Sequence, residues 1–592
     1  MRREGIFLLM IALSWAAPAW SGGKEGKNTK PAKRDSGITT TAPKNAGKSA
    51  PPKEAANAAV ASELVQLQQM IQEQSKQIAA QQQQIEALER RIGLRPAAPS
   101  SANSRVAALA ASAAVVIPAS SPSSTGESAV APMPAAIAAP LSSNAAAPVM
   151  SRNRQEPGAE PESPLQFHIG SAYVTPVGFM DVTGEWRSTD VGSGIGTNFG
   201  SIPYGNTIPG NLSEFRLSMQ NSRVGFRVDA KVEGAHVIGY MESDFLGVDP
   251  ANVAVSSNSN SLRSRLYWVD ISKGKWEFLG GQSWSLLTPG RTGISPLPGN
   301  VFFSQNMDTN YQAGLFWARN PELRVVYHPS SKAAFAVAID SPEQYIGGSA
   351  GGGLITLPAA ASNYIGPELD NGGTTLSVGN VAPDVIAKLA LDPSPRFHFE
   401  IGGVERQFRL YNPTTATHYS ATGGGGFINL NFELFKGFRV LTNNFWSDGG
   451  GRYIFGQAPD LIVRANGSPS LVHSGSTVSG FEWTVRHTLL FGYYGGIYIS
   501  RNAELDTNGS RIGYGYAGSP SSQNRSIQEG TFGLNQTIWT NPRYGALNFI
   551  GQYSYLTRNP WSLSPGQPDN ANVNMIFFDV RYSLPGSAPA MK

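Results

Sequence analysis

No cysteine occurs among the 592 residues of the chain. That excludes a disulfide framework, a thiolate metal site and the lipid-modified cysteine of a bacterial lipoprotein. Long apolar runs are also missing. Ile6 to Leu13 and the alanine-dominated Val106 to Ile117 both fall short of the roughly 20 residues a helix needs to cross a bilayer, so no spanning helix is expected. Charged residues make up only 15%, and 46 basic against 42 acidic side chains leave a formal +4. The basic residues are dispersed rather than set in a stripe with interleaved aromatics, which argues against nucleic acid as a partner. Histidine is sparse. His168, His236, His328, His398, His418, His473 and His487 include no pair at metal-ligand spacing, and no Gly-x-Ser-x-Gly elbow is present. Neither a metal, a cofactor nor an enzymatic site is legible.

What the chain does have is alternation. In Ser222 to Val232, Arg223, Arg227, Asp229 and Lys231 fall on one side and Val224, Phe226, Val228, Ala230 and Val232 on the other, as a period of two requires. Near the C-terminus Ile576, Phe578, Val580 and Tyr582 oppose Asp579 and Arg581, and Phe397, Phe399 and Ile401 oppose Arg396, His398 and Glu400. One such strand fits any sheet over a soluble core. Repeated along the chain, with 65 glycines and 10% aromatic residues, the pattern predicts an all-β fold: a closed antiparallel transmembrane barrel with a polar lumen.

Size sets the barrel. Residues 165–584, at roughly 10 per spanning strand plus turns and loops, allow about 16 to 18 strands. The candidates are Val177 to Ser188, Leu212 to Met219, Ser222 to Val232, Ala235 to Phe245, Leu262 to Ile271, Trp276 to Ser283, Gln312 to Arg319, Leu323 to His328 and Ala333 to Asp340. They continue with Val385 to Leu391, Arg396 to Arg409, Gly425 to Leu434, Phe438 to Trp446, Gly480 to Leu490, Gly492 to Arg501, Gly530 to Thr540, Tyr544 to Leu556 and Asn572 to Leu584. Glu233-Gly234, Lys273-Gly274 and Lys436-Gly437 supply hairpin turns. The long polar stretches Leu287 to Asp308, Tyr345 to Pro383, Ser447 to Ser479 and Asn502 to Glu529 read as loops, the first as the pore constriction. Trp268, Trp276, Trp284, Trp317, Trp446, Trp483 and Tyr493 are expected at the membrane interfaces, with some of them inside.

Ahead of the barrel the composition changes four times. Arg2, Arg3, the Ile6 to Leu13 run and Ala17-Pro18-Ala19 make residues 1–21 an expected signal peptide. Residues 22–60 are a basic leader with too few large apolar groups to fold. In residues 61–95, Leu64, Ile71, Ile78, Ile85 and Ile92 recur every seven positions, with Leu67, Gln74, Gln81 and Leu88 between them. These heptads predict an α-helical coiled coil, and glutamine at two d positions without asparagine at a favours three strands. Residues 96–164 are an Ala/Pro/Ser-rich linker and residues 585–592 a short tail.

Ser222-Arg-Val-Gly-Phe-Arg227, Met241-Glu-Ser-Asp-Phe-Leu-Gly247, Leu262-Arg-Ser-Arg-Leu-Tyr-Trp-Val-Asp270 and Phe278-Leu-Gly-Gly-Gln-Ser-Trp-Ser285 resemble the DcaP-type outer-membrane porins. The resemblance implies trimers, a periplasmic coiled coil ahead of the barrel, and passive uptake of small anionic solutes including dicarboxylates. Alternation turns Arg216, Arg223, Arg227, Arg263 and Arg265 inward, with Glu242 and Asp244 on a neighbouring strand. Such a ladder either sets a transverse field that favours anions or stiffens the wall as a salt-bridge network. The expected partners are outer-membrane lipid, two further copies of the chain and small anions, with peptidoglycan within reach of the periplasmic helices. An adhesin or cell-wall tether is the competing class, and an outer-membrane lipase a more distant one.

Overall fold

The structure, a computed structural model, describes residues 164–247, 261–295, 301–306, 311–348, 352–372, 379–380 and 382–585. The expected signal peptide, basic leader and coiled coil lie outside the described residues, as does all of the linker but its last residue. No described helix is long and apolar enough to cross a membrane.

Sixteen antiparallel strands close on themselves. In chain order they are β1 (Ala172–Arg187), β2 (Glu214–Ser218 resuming as Arg223–Val232), β3 (Ala235–Asp244), β4 (Arg263–Lys273), β5 (Trp276–Trp284) and β6 (Arg319–Ser330). Then come β7 (Ala333–Asp340), β8 (Asp384–Ser394), β9 (Phe397–Asn412), β10 (Thr417–Phe435) and β11 (Phe438–Asp448). The last five are β12 (His473–Val485), β13 (Thr488–Ile499), β14 (Asn524–Asn541), β15 (Gly545–Pro560) and β16 (Ala571–Ser583). Each pairs with its neighbour in sequence, and the seam is closed by β1, which pairs β16 from Phe179↔Ser583 to Arg187↔Met575 and both halves of β2 on its other edge. Across the seam Arg581 Nε donates to Asp181 Oδ2 at 2.6 Å, joining residues 400 apart in sequence. Short turns lie at one end with both barrel termini, and longer connections at the other.

The tight turns form where glycine permits a left-handed backbone. Glu233 (φ 49°) and Gly234 (φ 79°) link β2 to β3 in the mirror-image turn geometry that matches strand twist, and Gly274 (φ 62°) and Gly437 (φ 82°) serve the next two expected hairpins, the latter beside a register shift between Glu433 and Phe435.

Three strand expectations need correction. Leu212 to Met219 and Ser222 to Val232 are one strand, not two. At its break Ser222 N reaches Met219 O, and the ladder is bridged by side chains, with Asp181 N donating to Ser222 Oγ and Asn221 Nδ2 to Thr183 Oγ1. Gln312 to Arg319 is mostly loop inside the barrel; only Arg319 belongs to a strand, and Ala313 N and Trp317 N find partners in Glu529 Oε2 and Tyr453 O instead of a ladder. Gly480 to Leu490 contains a turn at Arg486 (φ 55°) and His487, hidden because apolar residues flank it on both sides. The expected loop Ser447 to Ser479 ends sooner, since β12 starts at His473, and the loop Asn502 to Glu529 ends at β14.

The outer face carries the apolar half of the pattern. Val182, Phe226, Met241, Val269, Val325, Val337, Val385, Ile576 and Phe578 are all exposed, as a lipid-facing belt demands. Trp276, Trp446 and Trp483 join them, whereas Trp268 and Tyr493 are buried and Trp284 and Trp317 pack against interior clusters.

Candidate functional site

The inward face of β2 to β4 is a wall of paired charges. Asp244 accepts from Arg263 Nε and Nη2 at 3.0 and 2.6 Å and from Arg265 Nη1 at 2.6 Å. Glu242 accepts from Arg265 Nε at 3.1 Å and Tyr240 OH at 3.1 Å, with Arg223 Nη1 at 3.8 Å. Arg227 Nη2 meets Asp229 Oδ1 at 2.7 Å, and Arg216 Nε meets Glu214 Oε2 at 2.8 Å. The structure thus brings Arg223, Arg263, Arg265, Glu242 and Asp244 into one network, while Arg216 shares Glu214 with Arg187 and Arg227 shares Asp229 with His236.

These residues differ in what they present to water. Arg223, Arg227, Arg265, Glu242 and Asp244 are buried. The Arg216 side chain is 41% exposed above Glu214 at 9%, and that of Arg263 is 37% exposed above Asp244 at 0%. In both pairs the cation faces the interior while its carboxylate is withdrawn into the wall.

The connection between β5 and β6 is the second component, and it leaves the wall to cross the interior. It is pinned at its start by Ser285 N to Ala318 O. Lys388 Nζ on β8 then donates to Thr288 O at 2.8 Å, and Gly290 N donates to Glu400 Oε2 on β9 at 3.0 Å. Arg291 grips Glu482 on β12 with two bonds of 2.7 and 2.6 Å, and Tyr493 OH donates to the same carboxylate at 2.8 Å. Farther on, Gln305 N donates to Gln552 Oε1 on β15 at 2.8 Å, and Ala313 N to Glu529 Oε2 on β14 at 2.8 Å. Phe302, Phe303, Tyr311 and Leu315 pack on Leu441, Val478, Leu489 and Phe491 of the far wall. Since β13 is eight strands from β5 in a barrel of sixteen, the loop runs to the opposite side. It lies flush there because Gly495 has no side chain: a Cβ would collide with the Ala313 carbonyl.

The loop anchors Arg291, Glu482, Lys388 and Glu400 were not among the expected site residues. Glu482 had a visible signal in Phe481-Glu482-Trp483, and Lys388 in Ala387-Lys388-Leu389, each a charge between outward apolar neighbours. Arg291 had none, because its partner is on a strand 191 residues away.

At the long-loop end Glu343, Asp370, Asp460 and Arg452 gather. Burial, then a hydrogen bond with the Asp370 carboxyl, lift Glu343 from 4.5 to about 7, against the pull of Arg452. Among the described residues no cluster of His, Asp and Glu could hold a metal ion.

No protein-family model matches the chain, and no curated protein matches it. Among solved structures, the outer membrane channel DcaP of Acinetobacter baumannii aligns over 70% of this chain and 99% of its own with a TM-score of 0.51 and 16% identity. An anion-selective porin from Comamonas acidovorans covers 70% and 99%, with a TM-score of 0.37 and 13% identity. OmpT of Vibrio cholerae covers 71% and 99%, with a TM-score of 0.37 and 8% identity. The first of these likenesses shows that the described barrel has the porin fold of DcaP.

Proposed function

We propose that this porin-fold chain is an outer-membrane channel through which small hydrophilic solutes, anions in preference, diffuse passively. The observation that carries the reading is an outer face of exposed apolar side chains around a barrel whose inner face on β2 to β4 carries paired charges, in a single-chain barrel crossed by the loop between β5 and β6. That arrangement gives lipid on one side and water on the other. The short turns then face the periplasm and the longer loops the cell exterior, which sends the N-terminal heptads into the periplasm, within reach of peptidoglycan. Three copies assembling through those heptads complete the reading.

The anion preference rests on exposure rather than on a surplus of arginine. A solute passing Arg216 or Arg263 meets guanidinium before carboxylate, and a positive surface in a narrow aqueous passage lowers the barrier for anions. The buried pairs of Arg265 and Arg227 hold the wall instead.

Single-insertion conductance and reversal potential in a salt gradient, recorded in a planar bilayer, test both levels. Ohmic steps with a reversal potential of anionic sign are expected. Silent insertions would overturn the channel, and a cationic sign would overturn the preference.

A further inference from the structure

The two ends of the barrel treat their exposed charges differently. At the long-loop end cations stand beside carboxylates: Arg464 Nε lies 3.9 Å from Glu504 Oε2, and His473 Nδ1 lies 3.3 Å from Asp448 Oδ1. At the other end every short turn puts a cation into water. Lys273 and Lys275 flank Gly274 between β4 and β5, Lys332 joins β6 to β7, and Lys436 joins β10 to β11. Lys231, Arg396, Arg486 and Arg543 stand on or beside the turns β2–β3, β8–β9, β12–β13 and β14–β15. All of these are exposed, and Glu233 is the one exposed carboxylate among the described residues of the same turns. The contacts that three of the cations make are with neutral groups. Lys273 Nζ donates to Glu233 O at 3.2 Å, Lys275 Nζ donates to Pro329 O at 3.1 Å, and Arg543 lies 5.7 Å from the Tyr544 ring. An ammonium has three donors, so a single carbonyl leaves its charge uncompensated.

Depth says what these cations face. Trp276 follows Lys275, Phe435 precedes Lys436 and Tyr544 follows Arg543, each ring at least half exposed. Val232 and Val485, also exposed, adjoin Lys231 and Arg486. These groups end the apolar belt at the boundary between membrane and water. The turns are only two or three residues long, so at about 3.3 Å per residue their tips stand within roughly 10 Å of that boundary. Lipid phosphates lie at this depth, and a polymer standing off the membrane lies beyond it. A lysine stem along apolar surface with its ammonium among headgroups is the arrangement such side chains adopt at an interface.

We infer that the rim of short turns is a collar for anionic phospholipid, with Lys273, Lys275, Lys332 and Lys436 binding the phosphodiester oxygens of headgroups in the leaflet that the turns border. Charge complementarity favours a headgroup of net negative charge over a zwitterionic one, whose own ammonium competes for the phosphate. Because the cations are spread over all the short turns, the lipids are held as an annulus and not in one pocket. Each charge near such a surface is worth roughly fivefold in lipid retention at low salt. This rests on the reading of the barrel as membrane-spanning with its short turns toward the periplasm, and is independent of whether it conducts.

Native mass spectrometry of the full-length protein in mild detergent, titrated with phosphatidylglycerol and with phosphatidylethanolamine of the same acyl chains, tests the collar. The unmodified protein is expected to retain phosphatidylglycerol in preference. A variant combining Lys273→Gln, Lys275→Gln, Lys332→Gln and Lys436→Gln should lose that retention by at least about tenfold, whereas Arg464→Gln with Arg511→Gln, exposed at the long-loop end, should keep it. Equal retention of the two lipids, an unchanged fourfold variant, or an equal loss from the long-loop control would overturn the inference. Displacement of the lipid by purified peptidoglycan would also overturn it, since the rim's ligand would then be a cell-wall carboxylate. With no native cysteine in the chain, Lys332→Cys reports orientation, and a bulky membrane-impermeant maleimide should label it only after cells are permeabilised. Labelling of intact cells would overturn the periplasmic placement of the collar, a failure distinct from loss of the lipid preference.

Discussion

Two arcs of the inner wall follow the same period of two and are filled in opposite ways. On β2 to β4 the inward charges find their partners on the wall itself, as Arg265 does in Glu242 and Asp244, beside the buried Ile238, Tyr240, Leu266 and Trp268. On β11 to β13 the inward Leu441, Val478, Leu489, Phe491 and Tyr493 meet the loop between β5 and β6. The difference teaches that an inward face can be satisfied either by charges paired within the wall or by apolar side chains packed against the chain's own loop. Strand geometry is indifferent to which.

The sharpest way to break that contrast is to free the loop. Arg291→Ala leaves Glu482 buried beneath it, with Tyr493 OH still donating to it. Removing one partner of a buried ion pair typically costs about 3–5 kcal/mol. We expect loop docking to weaken by that order, with larger single-channel conductance and new protease cleavage within residues 285–318. A conductance equal to that of the unaltered protein would show that the loop does not limit flow. Gly495→Val attacks the same contact from the wall side, because its side chain would occupy the space of the Ala313 carbonyl. Overpacking of this kind costs about 1–3 kcal/mol, so a smaller conductance rise is expected, and one exceeding that of Arg291→Ala would reverse the order of anchors proposed.

On the charged arc the two arginines of Asp244 should separate by role. Arg263→Ser removes a water-facing cation, so anion over cation permeability should fall, by about 1 kcal/mol or roughly fivefold for a charge at contact distance in water. Arg265→Ser uncovers two buried carboxylates and should lower the unfolding temperature more than it changes selectivity. Equal effects of both on reversal potential would merge the roles.

The smallest effect concerns pH at the long-loop end. Glu343, raised from 4.5 to about 7, binds its proton more tightly in the folded loop than in an unfolded chain. Its contribution to loop packing is therefore fully present below 4.5 and is lost as pH rises through about 7. Brief closures of the channel should become more frequent over pH 6 to 8 on the basis of that midpoint, and Glu343→Gln should flatten the dependence. A profile unchanged by that substitution would assign the titration elsewhere.

The contrast also explains what could be read from the residues alone. Arg223 to Val232 was legible as a wall strand because charge and hydrocarbon alternate there. In Leu489 to Tyr494 inward Leu489, Phe491 and Tyr493 are as apolar as outward Leu490 and Tyr494, so period two leaves no trace and the turn at Arg486 was missed. Gln312 to Arg319 looked like a strand for the complementary reason, since a loop packed against a wall needs one apolar side as well. The arginine ladder could be placed inward from its sequence, but which of its members meets water depends on carboxylates brought alongside by strand pairing. Arg291 could not be found at all, because its role exists only once β12 stands across from β5.

The seam between β1 and β16 has a kinetic consequence. Every other pairing joins strands adjacent in sequence, whereas this one waits for residues 400 apart to meet, and the entropic cost of such a loop must be met before any of its bonds form. The hairpins can therefore zip early and closure comes late, so the open sheet passes through a stage with two exposed edges. The β1 and β16 edges are then the surfaces that a folding catalyst in the membrane would have to hold, and substitutions at Asp181 or Arg581 should slow the final step of assembly while leaving the hairpins to form at their usual rate.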